Sequence, residues 1–199
     1  MRIAPRVPFS LLFALVLAAC AEGPEQILAP QQLPVAEQEI PGTAQQSIDF
    51  VLHADRPSLS RNTVSFWAVR GETRTASVSY ADGTPMVTLT IPDGALRRDA
   101  QGRRIARGDS LQITMTLLDR KSYAVRFEPA GLRFDEQEPA VLSFDLARAG
   151  RKALESASLS MWRQESPDSP WTLVPSFVDR SAKQLTAHID GFTVYALSY

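Results

Sequence analysis

From Ser47 to Tyr199 the hydrophobic pattern of the chain has a period of two. Met86-Val87-Thr88-Leu89-Thr90-Ile91 and Leu111-Gln112-Ile113-Thr114-Met115-Thr116-Leu117 set apolar and polar side chains on alternate faces. Such runs recur at 48–52, 63–69, 77–80, 86–91, 111–117, 123–127, 140–146, 158–163, 171–174, 184–189 and 192–197. They are rich in Val, Thr and aromatics. Turn formers punctuate them, as at Gly71, Asp82-Gly83 and Pro92-Asp93-Gly94. Only 94–99 and 151–156 have a helical composition, and each is long enough for one or two turns. Many short strands with a half-buried alternation predict an all-β fold, a single β-sandwich over 47–199.

The residues ahead of that domain follow other rules. Arg2 and Arg6 form a positive start, and Phe9–Ala19 is an apolar run of export-signal length. It is shorter than the roughly 20 apolar residues a membrane-spanning helix needs. Leu17-Ala18-Ala19-Cys20 resembles the lipobox of bacterial lipoproteins at all four positions. The resemblance implies cleavage between Ala19 and Cys20 and diacylglycerol on the Cys20 thiol. The membrane is then the first partner, held through that lipid. Cys20 is the single cysteine of the chain, so no internal disulfide can form. Ala21 stands where an inner-membrane lipoprotein would be expected to carry aspartate, which favours the outer membrane in an organism that has one. Residues 20–46 carry Pro24, Pro30, Pro34 and Pro41 among Glu, Gln and Ala. They have too few apolar residues to offset ordering entropy and read as a flexible spacer. The expected organisation is a signal peptide at 1–19, a lipidated N-terminus and spacer at 20–46, and the sandwich at 47–199.

Composition narrows the function. Without Arg2 and Arg6, 19 basic residues face 22 acidic ones. A weakly acidic domain lacks the electrostatic footprint of a nucleic-acid binder and has no polybasic patch for membranes.

Within the domain, Ile91-Pro92-Asp93-Gly94-Ala95-Leu96 resembles the signature turn of the ZU5 domain, a β-sandwich of ankyrins, netrin receptors and bacterial surface proteins. Phe127-Glu128-Pro129-Ala130-Gly131-Leu132-Arg133-Phe134 with Pro139-Ala140-Val141-Leu142 is similar to a second block of that family. Trp162, Trp171 and the closing Gly191–Leu197 stretch correspond to a third. The resemblance spans about 66–199 and extends to a group of uncharacterised bacterial lipoproteins. Some ZU5-type domains cut themselves at a His-Phe-Ser motif. The matching positions here are Gly191, Phe192 and Thr193, so the hydroxyl nucleophile has no imidazole beside it. His188 lies at an odd offset from Gly191 and points to the other face of an extended strand. Both features argue against self-cleavage.

Other chemistry has little support in the sequence. His53 and His188 lack a second His or Cys at metal spacing, so no metal site or cofactor is expected. There is no nucleophile elbow, phosphate loop or dinucleotide fingerprint. The acidic cluster Asp135, Glu136 and Glu138 reads as a solvated turn rather than a calcium loop. In Arg107-Gly108-Asp109-Ser110, Gly108 and Asp109 read as the turn that starts the next strand. Trp67, Trp162 and Trp171 read as core or sheet-edge aromatics.

The strongest charge feature is Arg97, Arg98, Arg103, Arg104 and Arg107. It reads as a long exposed hairpin loop and is the candidate binding loop, for an envelope protein or an anionic polymer. The leading expectation is a membrane-tethered, non-catalytic interaction or structural module of the cell envelope. The alternatives are a self-cleaving ZU5-type domain and a hydrolase of envelope glycans or peptides, for which Glu136 or His188 would have to matter.

Overall fold

A computed structural model describes residues 48–199. The expected signal peptide, Cys20 and the spacer lie outside the described residues. Among the described residues the chain forms eleven strands and one short helix. In order these are β1 (Thr63–Val69), β2 (Arg74–Ser79), β3 (Pro85–Ile91), β4 (Ser110–Leu117), β5 (Ala124–Glu128), β6 (Ala140–Asp145), α1 (Arg151–Glu155), β7 (Ser160–Gln164), β8 (Thr172–Val174), β9 (Ser176–Asp179), β10 (Gln184–Ile189) and β11 (Val194–Ser198). No helix among them is long and apolar enough to cross a membrane.

The strands make two antiparallel sheets, ordered β1-β4-β5-β11-β7-β8 and β2-β3-β6-β10-β9. Period-two patterning produces this packing directly. In β6, Ala140, Leu142 and Phe144 are buried, while Val141, Ser143 and Asp145 are half-buried on the outer face. The inner faces meet in one core, whose largest buried side chains include Tyr80, Tyr123, Tyr195, Phe127 and Phe144. Phe127 stacks on Phe192, with ring centroids 5.0 Å apart. Outward, hydroxyls pair across strands. Ser77 meets Thr88 at 2.8 Å and Ser143 meets Thr186 at 3.1 Å on one sheet, and Ser65 meets Thr114 at 2.8 Å on the other.

The β-sandwich expected from the sequence is therefore present, with differences in its parts. Residues 48–52 make isolated bridges rather than a full strand, pairing Phe50 with Ser198 and Leu52 with Ser122. Val51 wedges between two strands, donating to the Leu197 carbonyl at 2.9 Å and accepting from the Tyr123 N–H at 3.1 Å. β9 escaped the sequence reading. It follows β8 after Pro175, which lacks an N–H and marks the switch from one sheet to the other. Helix α1 forms within 151–156, whereas 94–99 is a turn and not a helix. The bridge between Arg98 and Arg104 and the bond from the Ile105 N–H to the Arg97 carbonyl at 3.1 Å draw the backbone after Leu96 out of a helical path.

The largest correction concerns the arginine-rich loop. β3 and β4 belong to different sheets, so residues 92–109 form a crossing between layers, not a hairpin joining neighbours. Inside it sits a miniature hairpin that pairs Arg98 with Arg104. The turn at 106–109 is as expected, with Gly108 at φ +90° and the Asp109 N–H bonded to the Ala106 carbonyl at 3.0 Å.

The registers give the domain two ends. The described chain enters beside the C-terminus, where Ser198 Oγ donates to the Asp49 carbonyl at 2.8 Å and Lys152 reaches Asp49 at 2.6 Å. β11 runs from the opposite end toward this one. The ends of β1, β3 and β10 and the starts of β4 and β6 therefore gather at the far end.

Candidate functional site

Backbone hydrogen bonds stitch together three of the loops at the far end. The Gly71 N–H donates to the Asp93 carbonyl at 2.9 Å, joining the β1–β2 turn to the crossing. The Arg70 N–H donates to the Asp109 carbonyl and the Gly108 N–H to the Arg70 carbonyl, both at 2.9 Å. The Asp135 N–H donates to the Ala95 carbonyl at 3.0 Å, adding the β5–β6 loop. These bonds satisfy backbone groups that would otherwise be half-desolvated at a crowded end.

A cleft of about 190 Å³ opens where the loops meet. Arg70, Arg97 and Arg107 line it together with Asp93, Glu138 and the backbone of Gly71 and Gly94. Each arginine is held by a different device. The Arg70 guanidinium donates to the Ile105 carbonyl. Arg97 pairs with Asp135 at 2.8 Å. The stem of Arg107 lies over Gly71, where a Cβ would come within 3.1 Å of both its Cγ and Nε. Gly71 also has φ +95°, so two separate constraints favour glycine there. Among the described residues, Arg70 and Arg107 form no ion pair. A second cleft, of about 360 Å³, lies on the other side of Arg97 and is lined by Arg98, Arg133, Asp135 and Glu136 among others.

The five arginines singled out in the sequence therefore divide. Arg97 and Arg107 reach the first cleft, and Arg97 and Arg98 the second. Arg98 also donates to the Gly102 carbonyl at 3.0 Å. Arg103 pairs with Asp99 at 2.7 Å, and neither it nor Arg104 lines either cleft. Desolvation pushes the Asp99 carboxyl up. The Arg103 N–H, its guanidinium and the Gln101 N–H outweigh that push and hold the group below the usual carboxylate range. Much of the loop's charge thus stabilises the loop itself.

The acidic cluster is more than a solvated turn. Asp135 takes Arg97, and Glu138 accepts the Gly94 N–H at 3.1 Å, leaving Glu136 exposed. Sequence reasoning missed Arg70, Gly71, Glu138 and Arg133 as members of this end. Arg70-Gly71 directly after a strand is the one local signal that could have exposed it. The others are joined only by tertiary contact.

At the position of the self-cleaving motif, Thr193 is buried and its hydroxyl donates to the Gln164 carbonyl. Gly191 has no room for a side chain, because a Cβ would lie 2.5 Å from the Leu132 carbonyl oxygen. The Tyr195 hydroxyl donates to the Gly191 carbonyl at 2.7 Å and ties this corner down. His188 is exposed on the outer face of the five-stranded sheet, opposite Val141. Trp67 stands on edge strand β1, 58% exposed, while Trp162 and Trp171 lie toward the opposite edge, so the three share no platform.

His53 occupies the entry end and is buried. Its ring centroid lies 4.2 Å from that of Tyr123, its Nδ1 is 3.5 Å from the Tyr80 hydroxyl, and its Nε2 has no hydrogen-bond partner. Burial lowers its pKa and the nearby Arg148 charge adds to that, against the Arg148 backbone and Asp119, which raise it.

No protein-family model matches the chain, and no curated protein sequence matches it either.

Proposed function

We propose that the chain is a lipoprotein of the cell envelope, tethered to a membrane through lipid on Cys20, whose sandwich is a non-catalytic interaction or structural module of ZU5-like type. The observation that carries the reading is Leu17-Ala18-Ala19-Cys20 at the end of an apolar run, followed by a proline-punctuated spacer. Two or three acyl chains anchor far more firmly than one. With Ala21 after the cysteine, the outer membrane is the favoured site in an organism that has one.

The geometry of the domain is consistent with such a tether. The chain enters at Ile48 beside the C-terminus, and the arginine cleft lies at the opposite end. A module attached at its entry end presents that cleft away from its attachment point. The ZU5-like assignment rests on the sequence blocks at Ile91–Leu96 and at Phe127–Phe134 with Pro139–Leu142. A non-catalytic role agrees with the engaged Thr193 hydroxyl, the glycine at 191 and the exposed position of His188.

The test is the denatured intact mass of the protein recovered from membranes of its native host. The expected species begins at Cys20, carries acyl chains and ends at Tyr199. A species with no lipid, or a Cys20→Ser variant that stays in the membrane fraction, would overturn the anchor. A species lacking the residues after Phe192 would overturn the non-catalytic reading.

A further inference from the structure

We infer that an apolar patch on the outer face of the six-stranded sheet, at the entry end, docks on the lipid bilayer and holds the domain against it by a fixed face. This rests on reading the chain as tethered at Cys20, and it adds an orientation of the domain to that reading.

Strand register assembles the patch. Residues directly opposite each other in neighbouring strands point to the same face. Just beyond β4 the Leu118 N–H donates to the Ala124 carbonyl at 3.0 Å. Ala124 pairs with Ala196, Ala196 with Trp162, and Trp162 with Leu173. One row, apolar throughout, therefore runs from the end of β4 to edge strand β8. It faces away from the core, because the residues beside it along the strands, Val125, Tyr195, Met161 and Val174, face inward. Toward the entry end the row is joined by Phe50 opposite Ser198 and Leu52 opposite Ser122, with Trp171 edge-on to Phe50 at 5.5 Å. Ala124 and Ala196 form a buried floor, while Leu52, Leu118 and Leu173 are 52%, 41% and 54% exposed. The rest of this face is mainly polar. The next row holds Thr63, Thr116, Arg126, Val194 and Gln164, and the one after it Ser65, Thr114 and Glu128. A concentrated apolar patch on an otherwise polar face marks a contact with protein or membrane.

Position, composition and size choose the bilayer. Phe50 belongs both to the entering segment and to the patch, so residues 20–46 connect Cys20 directly to this face. Flexible linkers of that length span about 30 Å. They hold a tethered group near its target at a concentration on the order of millimolar, so a weak contact suffices. Trp, Phe and Leu with Arg and Lys beside them are also the side chains of a membrane interface. Here Arg120 and Lys121 follow Leu118, exposed and without an ion pair among the described residues. Asp119 offsets one of those charges, and its carboxylate accepts the Lys121 N–H at 2.5 Å and the Ser122 N–H at 2.7 Å. Apolar burial, not charge, therefore carries the attachment. A second copy fits less well, since a stable protein interface takes about 20–30 residues a side and this patch offers six large side chains.

The test is tryptophan quenching by phosphatidylcholine vesicles whose acyl chains carry bromine. All three tryptophans lie in the domain, and Trp67 stands at the opposite edge of the sheet, so Trp67→Phe leaves Trp162 and Trp171 to report on the patch. The protein recovered from its native host is reconstituted into the vesicles. Where it carries no native lipid, a maleimide lipid is coupled to Cys20, the single cysteine, which supplies the tether whatever the fate of the anchor. Quenching is expected, with little loss on raising the salt. Leu52→Asp, Leu118→Asp and Leu173→Asp together are expected to lower the ratio of docked to free domain by about tenfold or more. Phe177→Asp, exposed on the edge of the other sheet, is expected to behave as the parent does. A thermal melt identifies a variant that has failed to fold, and the three serine replacements then take its place.

A tethered protein whose tryptophans are not quenched would overturn the docking and leave the anchor standing. Quenching that the triple variant retains, or that Phe177→Asp loses equally, would overturn this face as the contact. A dimer in vesicle-free solution that Leu118→Asp splits would give the patch to a second copy. Contacts in NMR spectra between the Leu118 methyls and residues 21–46 would give it to the segment ahead of the domain. Either result would overturn the bilayer as its occupant. A chain that lacks native lipid but is quenched once coupled through Cys20 would fail the anchor and keep the face.

Discussion

The Glu138 carboxylate accepts the backbone N–H of Gly94 at 3.1 Å, and it fills the space that a Cβ on Gly94 would need. Two stretches more than forty residues apart are thereby locked together at the far end of the sandwich. A hydrogen bond to a charged acceptor in a half-buried setting contributes roughly 1.5–3 kcal/mol. Gly94→Ala, which evicts the carboxylate, and Glu138→Ala, which removes it, are each expected to destabilise the fold by about 1–3 kcal/mol. Because both abolish the same contact, their effects in urea unfolding should be far from additive. Full additivity would mean that the contact contributes nothing.

Gly191 makes a harder demand. A Cβ there would meet the Leu132 carbonyl oxygen at 2.5 Å, and that oxygen already accepts the Phe192 N–H at 2.8 Å. Backbone cannot rotate away as a side chain can. Gly191→Ala is expected to cost about 1–3 kcal/mol, the range for overpacking a closed site, and to appear as a clear fall in melting temperature. The same crowding keeps an imidazole from position 191. The chain is therefore expected to stay whole between Phe192 and Thr193 on prolonged incubation, as read by intact mass.

These two glycines show where the sequence was legible and where it was not. Alternation is a local property, so β3, β4, β6 and β10 could be read from the spacing of their apolar residues alone. Sheet membership is not local. The arginine-rich stretch between β3 and β4 reads like a hairpin loop because nothing in those residues records that the chain changes layers. β9 is only Ser176–Asp179, too short to establish a period. Of the cleft, Arg97 and Arg107 were legible as charge, while Arg70, Gly71 and Glu138 acquire their roles only through contacts with distant loops. Asp99 and Asp135 were visible as acids near arginines, but not as the groups that hold them in place.

Tyr195 supplies a further check on the corner between the two sheets. It is fully buried, and its hydroxyl donates to the Gly191 carbonyl at 2.7 Å. Burial raises its pKa, with Asp190 adding to the effect, so the phenol stays neutral in the folded state at any ordinary pH. Tyr195→Phe preserves the packing but leaves that carbonyl without this donor. A loss of about 1–2 kcal/mol is expected, the usual penalty for a lone buried acceptor. Alkaline difference spectra should show this tyrosine ionising only together with unfolding in the parent chain.

His53 couples stability to mild acid. Its ring is buried against Tyr80 and Tyr123, and burial lowers its pKa from the ordinary 6.5. The Arg148 charge pushes the same way, while Asp119 opposes it. In the unfolded chain the imidazole regains water and its ordinary value. Between the folded and unfolded pKa values the unfolded state binds the extra proton, so stability must fall as pH drops below about 6.5. One proton limits the slope to about 1.4 kcal/mol per pH unit. The carboxyls of Asp82, Asp119 and Asp179 are also depressed, but from 3.8, so their loss belongs to a more acid range. Urea unfolding of the full chain at pH 7.5, 6.5 and 5.5 is expected to show little change over the first interval and a clear loss over the second. His53→Phe is expected to flatten the second interval. The same residue lies in the segment through which the chain enters, where the backbone N–H of His53 donates to the Lys121 carbonyl at 2.9 Å and that of Ala54 to the Arg148 carbonyl at 2.9 Å. Protonation should therefore loosen residues 48–54 first, and faster amide exchange at Val51 and His53 at pH 5.5 than the intrinsic pH dependence allows would show it. An unchanged unfolding profile in His53→Phe would remove the histidine from the account.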